Sequence, residues 1–141
     1  MYDKILVPID GSENADAALT EALKLAKKLG SSLEIVSVAT DQRYVQYGVT
    51  LGQDVMESFQ KRAEEILSKA KQRADEAGVD ANTNFVIGVP KQAISKELPQ
   101  KYGTDLTVVG KSGVNGISRA LLGSTTEYVV RHSVTNVLVI E

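Results

Sequence analysis

Short, continuously apolar runs alternate along this chain with stretches whose apolar residues recur at helical spacing. That alternation predicts an α/β fold, a parallel sheet covered by helices on both faces and joined by right-handed crossovers. The apolar runs support it further: Lys4-Ile-Leu-Val-Pro8-Ile-Asp10 is apolar at successive positions, as a strand buried on both faces requires. With 141 residues, 43% of them hydrophobic, a single domain over residues 1–141 with a substantial core is expected.

In chain order, the first strand runs from Lys4 to Asp10, with Pro8 near its end, where a ladder N–H is no longer needed. Asp10-Gly-Ser-Glu13 is a turn opening a helix, since Asp10 and Ser12 are both good N-caps. The stripe Ala15, Ala18, Leu19, Ala22, Leu25, Ala26, Leu29 continues that helix and Gly30 closes it. Leu33 to Ala39 is the second strand. Thr40 to Gly52 has no clear period and reads as a loop, long enough to suggest a functional role. Val55, Phe59, Ala63, Ile66, Leu67, Ala70, Ala74 and Ala77 mark a long amphipathic helix stopped at Gly78. Asn82 to Ile87 is a weaker third strand. Pro90 starts the next helix, with Ile94, Leu98 and Tyr102 on one face, and Pro99 is expected to kink it or end it early. Asp105 to Val109 and Asn136 to Ile140 are the last two strands.

Composition excludes several classes of function. A net charge of -2 gives no strong drive toward nucleic acid or a membrane surface, and neither is expected as a partner. No cysteine is present, so disulfides, thiol chemistry and the usual zinc sites are ruled out. The N-terminus has no signal-peptide pattern, and no apolar run approaches the ~20 residues that cross a bilayer, so a cytoplasmic location is expected.

Chemistry concentrates between Leu106 and Thr126. Gly110, Gly113, Gly116 and Gly123 fall there, Lys111 and Arg119 are the charged residues, and no Asp or Glu occurs. A glycine-rich, anion-tolerant loop between a strand and a helix is a place to hold phosphate. Gly110-Lys111-Ser112 looks like the tail of a P-loop, but the glycine required five residues earlier is Asp105, and the match fails. The turn after the first strand has only Gly11, so the dinucleotide fingerprint fails too. What remains is Gly110-x2-Gly113-x9-Gly123-Ser124. With Val7-Pro8-Ile9-Asp10-Gly11-Ser12, it resembles the nucleotide-binding branch of the universal stress protein family, and the likeness covers essentially the whole chain.

That resemblance implies an open, Rossmann-like five-stranded sheet in order 3-2-1-4-5, binding ATP or AMP, usually as a homodimer through the strand from Asn136 to Ile140. It places Pro8, Ile9 and Asp10 beside the nucleoside, with Asp10 reaching the ribose, and sets the backbone of Val38 against adenine. Val109, Gly110, Ser112 and Gly113 would flank ribose and phosphates, and Gly123, Ser124, Thr125 and Thr126 would hold the phosphate chain. Ser112 stands where some relatives have histidine. Physical reasoning agrees, because residues 124–126 open a helix whose orphan N–H groups and dipole favour phosphate. With only Lys111 and Arg119 nearby, a triphosphate calls for Mg²⁺ or a similar cation. No metal-binding residues are assigned.

Plainer roles stand beside these. Ser124-x-x-Glu127 is a capping box, and Asp10 serves equally well as an N-cap. Pro8, Ile9, Val38 and Val109 are core or strand-end residues whatever binds. Gly116 suits the loop's turn, Arg119 reads as a solvated side chain, and Tyr44 and Tyr47 as packing residues. His132, the only histidine, lies eight residues beyond Ser124, about 12 Å along a helix axis, too far to act on the phosphates. With no convincing general base, a binding protein with slow or no ATP hydrolysis is the first expectation. A weak ATPase or phosphotransferase and a nucleotide-free interaction protein are the alternatives.

Overall fold

The strand β1 (Lys4–Pro8) shows why both faces of the sheet need cover: Ile5, Leu6 and Val7 are all fully buried. Successive strand side chains point to opposite faces, so a run apolar at every position has to be enclosed from both sides. The computed structural model describes residues 1–40, 53–112 and 121–141. In it, β2 (Ser32–Ala39), β3 (Ala81–Ile87), β4 (Leu106–Gly110) and β5 (Asn136–Ile140) join β1 in one parallel sheet of order β3-β2-β1-β4-β5. This is the predicted fold and strand order.

On one face, Ile5, Val7, Leu33, Ile35, Leu106 and Val108 pack against α1 (Glu13–Leu29) and α2 (Gln53–Ala77) through Ala18, Leu19, Ala22, Leu67, Ala70 and Ala74. The alternate residues Leu6, Val36 and Val109 face α3, a helix over residues 90–102, and α4 (Ser124–His132) through Ala93, Ile94, Leu98 and Val129. Small residues dominate the inner faces of α1 and α2, which lets those helices lie close to the sheet.

Local chemistry sets the ends. The Ser12 hydroxyl accepts the Ala15 N–H at 3.2 Å, so Ser12, of the two candidates, is the N-cap of α1. Asp10 instead accepts the N–H of Ser12 at 2.9 Å and holds the turn before it. Gly30 closes α1 in the left-handed region at φ 71°. Strand β1 stops at Pro8, two residues before the expected end. Strand β4 begins at Leu106 rather than Asp105, whose carboxylate is diverted to the N–H groups of Asp3 and Lys4 at 2.9 and 3.2 Å.

Pro99 does not end α3 early, one of the two outcomes expected from the sequence; the helix reaches Tyr102 and is capped by Gly103. Residues Ala93–Glu97 form a π-turn in which the Leu98 N–H reaches back to the Ala93 carbonyl. Pro99 has no N–H to give the Ser95 carbonyl, and that carbonyl accepts the Val134 N–H at 2.9 Å instead. The missing bond is made from outside the helix.

Toward the amino ends of the strands, the buried Glu34 carboxylate faces Lys4 Nζ at 3.5 Å and accepts from Asn82 and Asn84 at 3.0 and 3.4 Å. Burial, and then the Glu34 charge, push the Tyr102 phenol above its ordinary value. These groups lie at the opposite end of the sheet from Gly110, which ends β4.

Candidate functional site

Strand order reverses between β1 and β4, and in open α/β sheets the crevice at the carboxyl ends beside such a reversal is where ligands bind. Here the two strands part early. β1 keeps register with β2 from Lys4↔Ser32 to Pro8↔Val36, but with β4 only at Ile5↔Leu106 and Leu6↔Thr107. Pro8 cannot donate a ladder N–H, and the following Ile9 N–H turns to the Val36 carbonyl at 2.8 Å. β1 thus stays with β2 and leaves β4 free to diverge.

The start of α1 fills that divergence. At Gly110 an added Cβ would lie 2.5 Å from the Asn14 carbonyl oxygen, so the first turn of α1 rests directly on the backbone at the end of β4. The Asn14 amide donates to the Ser112 hydroxyl at 2.7 Å. Chain exit from β4 and chain entry into α1 are joined by a side chain and a bare backbone contact.

Two further bonds bring α4 to the same place. The Gly123 N–H donates to the Lys111 carbonyl at 2.9 Å, and the buried Thr126 hydroxyl donates to the Gly110 carbonyl at 2.8 Å. Gly123 is the N-cap of α4 and makes no side-chain cap, while Ser124 is the first residue of the helix. This corrects the capping-box reading: Ser124 lies one position too far along to cap. The first helix-type bond runs from the Glu127 N–H to the Gly123 carbonyl. The N–H groups of residues 124–126 are the orphan donors of a helix start, at the positive end of its dipole. α1, by contrast, spends its Ser12 side chain on its own cap.

The sequence-predicted residues gather around this junction to differing degrees. Pro8, Ile9 and Asp10 leave the end of β1, with Ile9 buried and Asp10 exposed. Val38 lies near the end of β2, opposite Val86. Val109 and Gly110 are buried at the end of β4, and Ser112 follows, half-buried. Ser124 is exposed and Thr125 half-buried. Thr126 has committed its hydroxyl proton to Gly110, leaving its backbone N–H for any anion. Lys111 turns away, its ammonium 3.3 Å from the Glu141 carboxylate. His132 is exposed in the last turn of α4 with its ring against Tyr128, centroids 4.3 Å apart, as expected of a surface histidine. Gly113, Gly116, Arg119, Tyr44, Tyr47, Gly48 and Gly52 lie outside the described residues.

A concavity of about 220 Å³ occurs on the other side of the Asp10–Ser12 turn, between α1 and α2. Its walls include Ile9, Leu19, Ile66 and Lys69, and its Asp16 and Arg73 pair with each other at 2.7 Å. The uncapped donors lie at the carboxyl edge, which is therefore the better place for an anion. Among the described residues no group of three or more His, Asp or Glu is placed to hold a metal, and no helix is long and apolar enough to cross a membrane.

The sequence profile of the universal stress protein family matches residues 1–141. The chain belongs to the universal stress protein family. A universal stress protein of Staphylococcus aureus (strain USA300) is 38% identical over 140 residues, covering 99% of this chain and 84% of that relative. The solved structure of the protein MJ0577 has a TM-score of 0.87 at 25% identity, covering 99% of this chain and 96% of the other. A universal stress protein solved in complex with cAMP has a TM-score of 0.76 at 30% identity, covering 99% and 97%. Within this family fold, sequence reasoning missed Asn14. An asparagine in a helix's first turn gives no sign of its contact, since its partners Gly110 and Ser112 are distant in the chain.

Proposed function

We propose that this universal stress protein binds an adenine nucleotide, ATP or AMP, at the carboxyl edge between β1 and β4, as a binding module in stress response or signalling. One observation carries the reading: Gly123 and Thr126 fold the uncapped start of α4 back onto the end of β4, beside the exit of β1. In this reading Pro8 and Ile9 wall the nucleoside, Asp10 reaches the ribose and the Val38 backbone meets adenine. Val109, Gly110, Ser112 and Gly113 flank ribose and phosphates. Gly123 lets the phosphate chain come close, and the N–H groups of Ser124, Thr125 and Thr126, with the hydroxyls of Ser124 and Thr125, hold it. The cAMP complex of a 30% identical structure supports an adenine ligand. Lys111 is paired with Glu141, so Mg²⁺ or a similar cation offsets the charge of a triphosphate. A homodimer through β5 completes the proposal.

Hydrolysis is slow or absent in this reading. Asp10, the carboxylate at the exit of β1, already holds the Ser12 N–H, and Glu141, beyond β5, is paired with Lys111. Turnover is expected below about 1 per second, the low end for enzymes.

Calorimetric titration with ATP–Mg²⁺ tests the proposal. Saturable binding with a rise in melting temperature is expected, since ligand at a hundred times its Kd stabilises by about 2.7 kcal/mol. Neither heat nor stabilisation at millimolar ligand would end it. Gly123→Asp is expected to weaken binding at least about tenfold, the effect of a carboxylate set against phosphate. Gly123 has φ −61°, which any residue adopts, so that variant is expected to fold.

A further inference from the structure

We propose that Asn14 is a positioning residue that fixes the direction of the Ser112 hydroxyl, making Ser112 a donor at the carboxyl edge and so favouring phosphate-bearing ligands over the bare nucleoside. The inference rests on the nucleotide reading above and assigns it a determinant of specificity.

A serine hydroxyl has one proton to give and two lone pairs to offer. Here one lone pair is occupied by the Asn14 amide nitrogen, an atom that can only donate, at 2.7 Å. Among the described residues no protein acceptor takes the Ser112 proton, and a phosphate oxygen at the carboxyl edge would be an acceptor for it. Phosphate oxygens accept and do not donate, and a hydroxyl held as a donor matches them. If Asn14 were to present an acceptor instead, Ser112 would spend its proton on the protein.

The amide is delivered by a rigid mount. Asn14 sits in the first turn of α1, whose start is set by the Ser12 cap and by the Asp10 carboxylate on the Ser12 N–H. Its own carbonyl oxygen abuts Gly110 so closely that a Cβ there would be 2.5 Å away. Neither partner can slide without moving the helix or the end of β4. Positioning by groups locked in this way sets hydrogen-bond geometry before the ligand arrives.

The test titrates adenosine, AMP and ATP–Mg²⁺ into wild-type protein and into Asn14→Ala, Asn14→Asp, Ser112→Ala and the Asn14→Ala/Ser112→Ala double variant. Asn14→Ala is expected to weaken AMP and ATP about three- to tenfold, as for loss of one ordinary neutral hydrogen bond, and adenosine by less than about twofold. Asn14→Asp, which accepts only, is expected to weaken the nucleotides more than about tenfold. The same variant should not lower the melting temperature, because a carboxylate suits the first turn of a helix. In the Ser112→Ala background Asn14→Ala should add nothing, since its route is through that hydroxyl. Equal losses for adenosine and ATP would overturn the proposal in favour of a merely structural role. A full Asn14→Ala penalty persisting without Ser112 would overturn it as well. Wild-type protein that binds none of the three defeats the nucleotide reading itself, an outcome separate from either of these.

Discussion

At Gly110 the space a methyl group would need is taken by the Asn14 carbonyl carbon and oxygen, 2.6 and 2.5 Å from the position of an added Cβ. Gly110→Ala therefore has to push the start of α1 away from β4. Overpacking of a tight contact costs about 1–3 kcal/mol, and denaturant melts should show a loss of that size, with weaker nucleotide binding because the Asn14–Ser112 bond shifts with the helix. An alanine variant as stable as wild type would mean that the contact yields at no cost. In the sequence, Gly110 reads as a glycine that lets a backbone approach an anion. Closeness is the right inference, but at this position the backbone that comes close is the protein's own. The spacing of Gly110, Gly113 and Gly123 marks where the chain must be bare. It does not tell which neighbour requires it. Asn14, and the bond that Thr126 makes, were illegible for the same reason, since each acts across the fold, Asn14 on Ser112 and Thr126 on the Gly110 carbonyl.

Among the elements, α3 departs most from its sequence signal. An interior proline ordinarily costs a helix about 3 kcal/mol by removing a bond and crowding a carbonyl. Here the crowded Ser95 carbonyl has a donor in Val134, and the preceding π-turn gives the Leu98 N–H the Ala93 carbonyl. Restoring the missing N–H with Pro99→Ala thus offers it an acceptor already in use. The variant should lose about 0.5–1 kcal/mol, because the unfolded chain gains freedom, rather than gain the usual reward for repairing a helix. A rise in the denaturation midpoint would show that the Val134 bond contributes little. The strands, by comparison, were legible almost to the residue, because runs such as Ile5, Leu6 and Val7 are apolar at every position and nothing but a strand buried on both faces suits them. Their ends were less so. Asp105 looks like the first residue of β4 until its carboxylate is seen taking two N–H groups from the N-terminal segment. Ser12 and Asp10 look interchangeable as caps until Asp10 is seen holding the Ser12 N–H.

For the whole molecule, the sheet order leaves β5 at one edge, with no strand among the described residues paired along its outer side. Edge strands that stay monomeric are usually short, charged or covered. β5 is short, but of its five residues four are apolar and none is charged, and Leu138 is 40% exposed. The chain leading to it adds Val130 at 46% and Val134 at 51% exposure, from the outer side of α4 and the turn after it. A second copy pairing along β5 would satisfy the open edge and bury these side chains together, which is the homodimer proposed above. Leu138→Lys places a charge on that edge, away from the carboxyl-edge contacts of Gly110, Ser112 and Thr126. Sedimentation of wild-type protein should give a dimer, and the variant should raise the dimer dissociation constant about thirtyfold or more, the effect of removing one central apolar side chain from an interface. Nucleotide affinity per chain should stay within about twofold, since the proposed ligand contacts all come from one protomer. A wild-type monomer, or a Leu138→Lys protein that dimerises as tightly as wild type, would show that β5 is not the pairing edge.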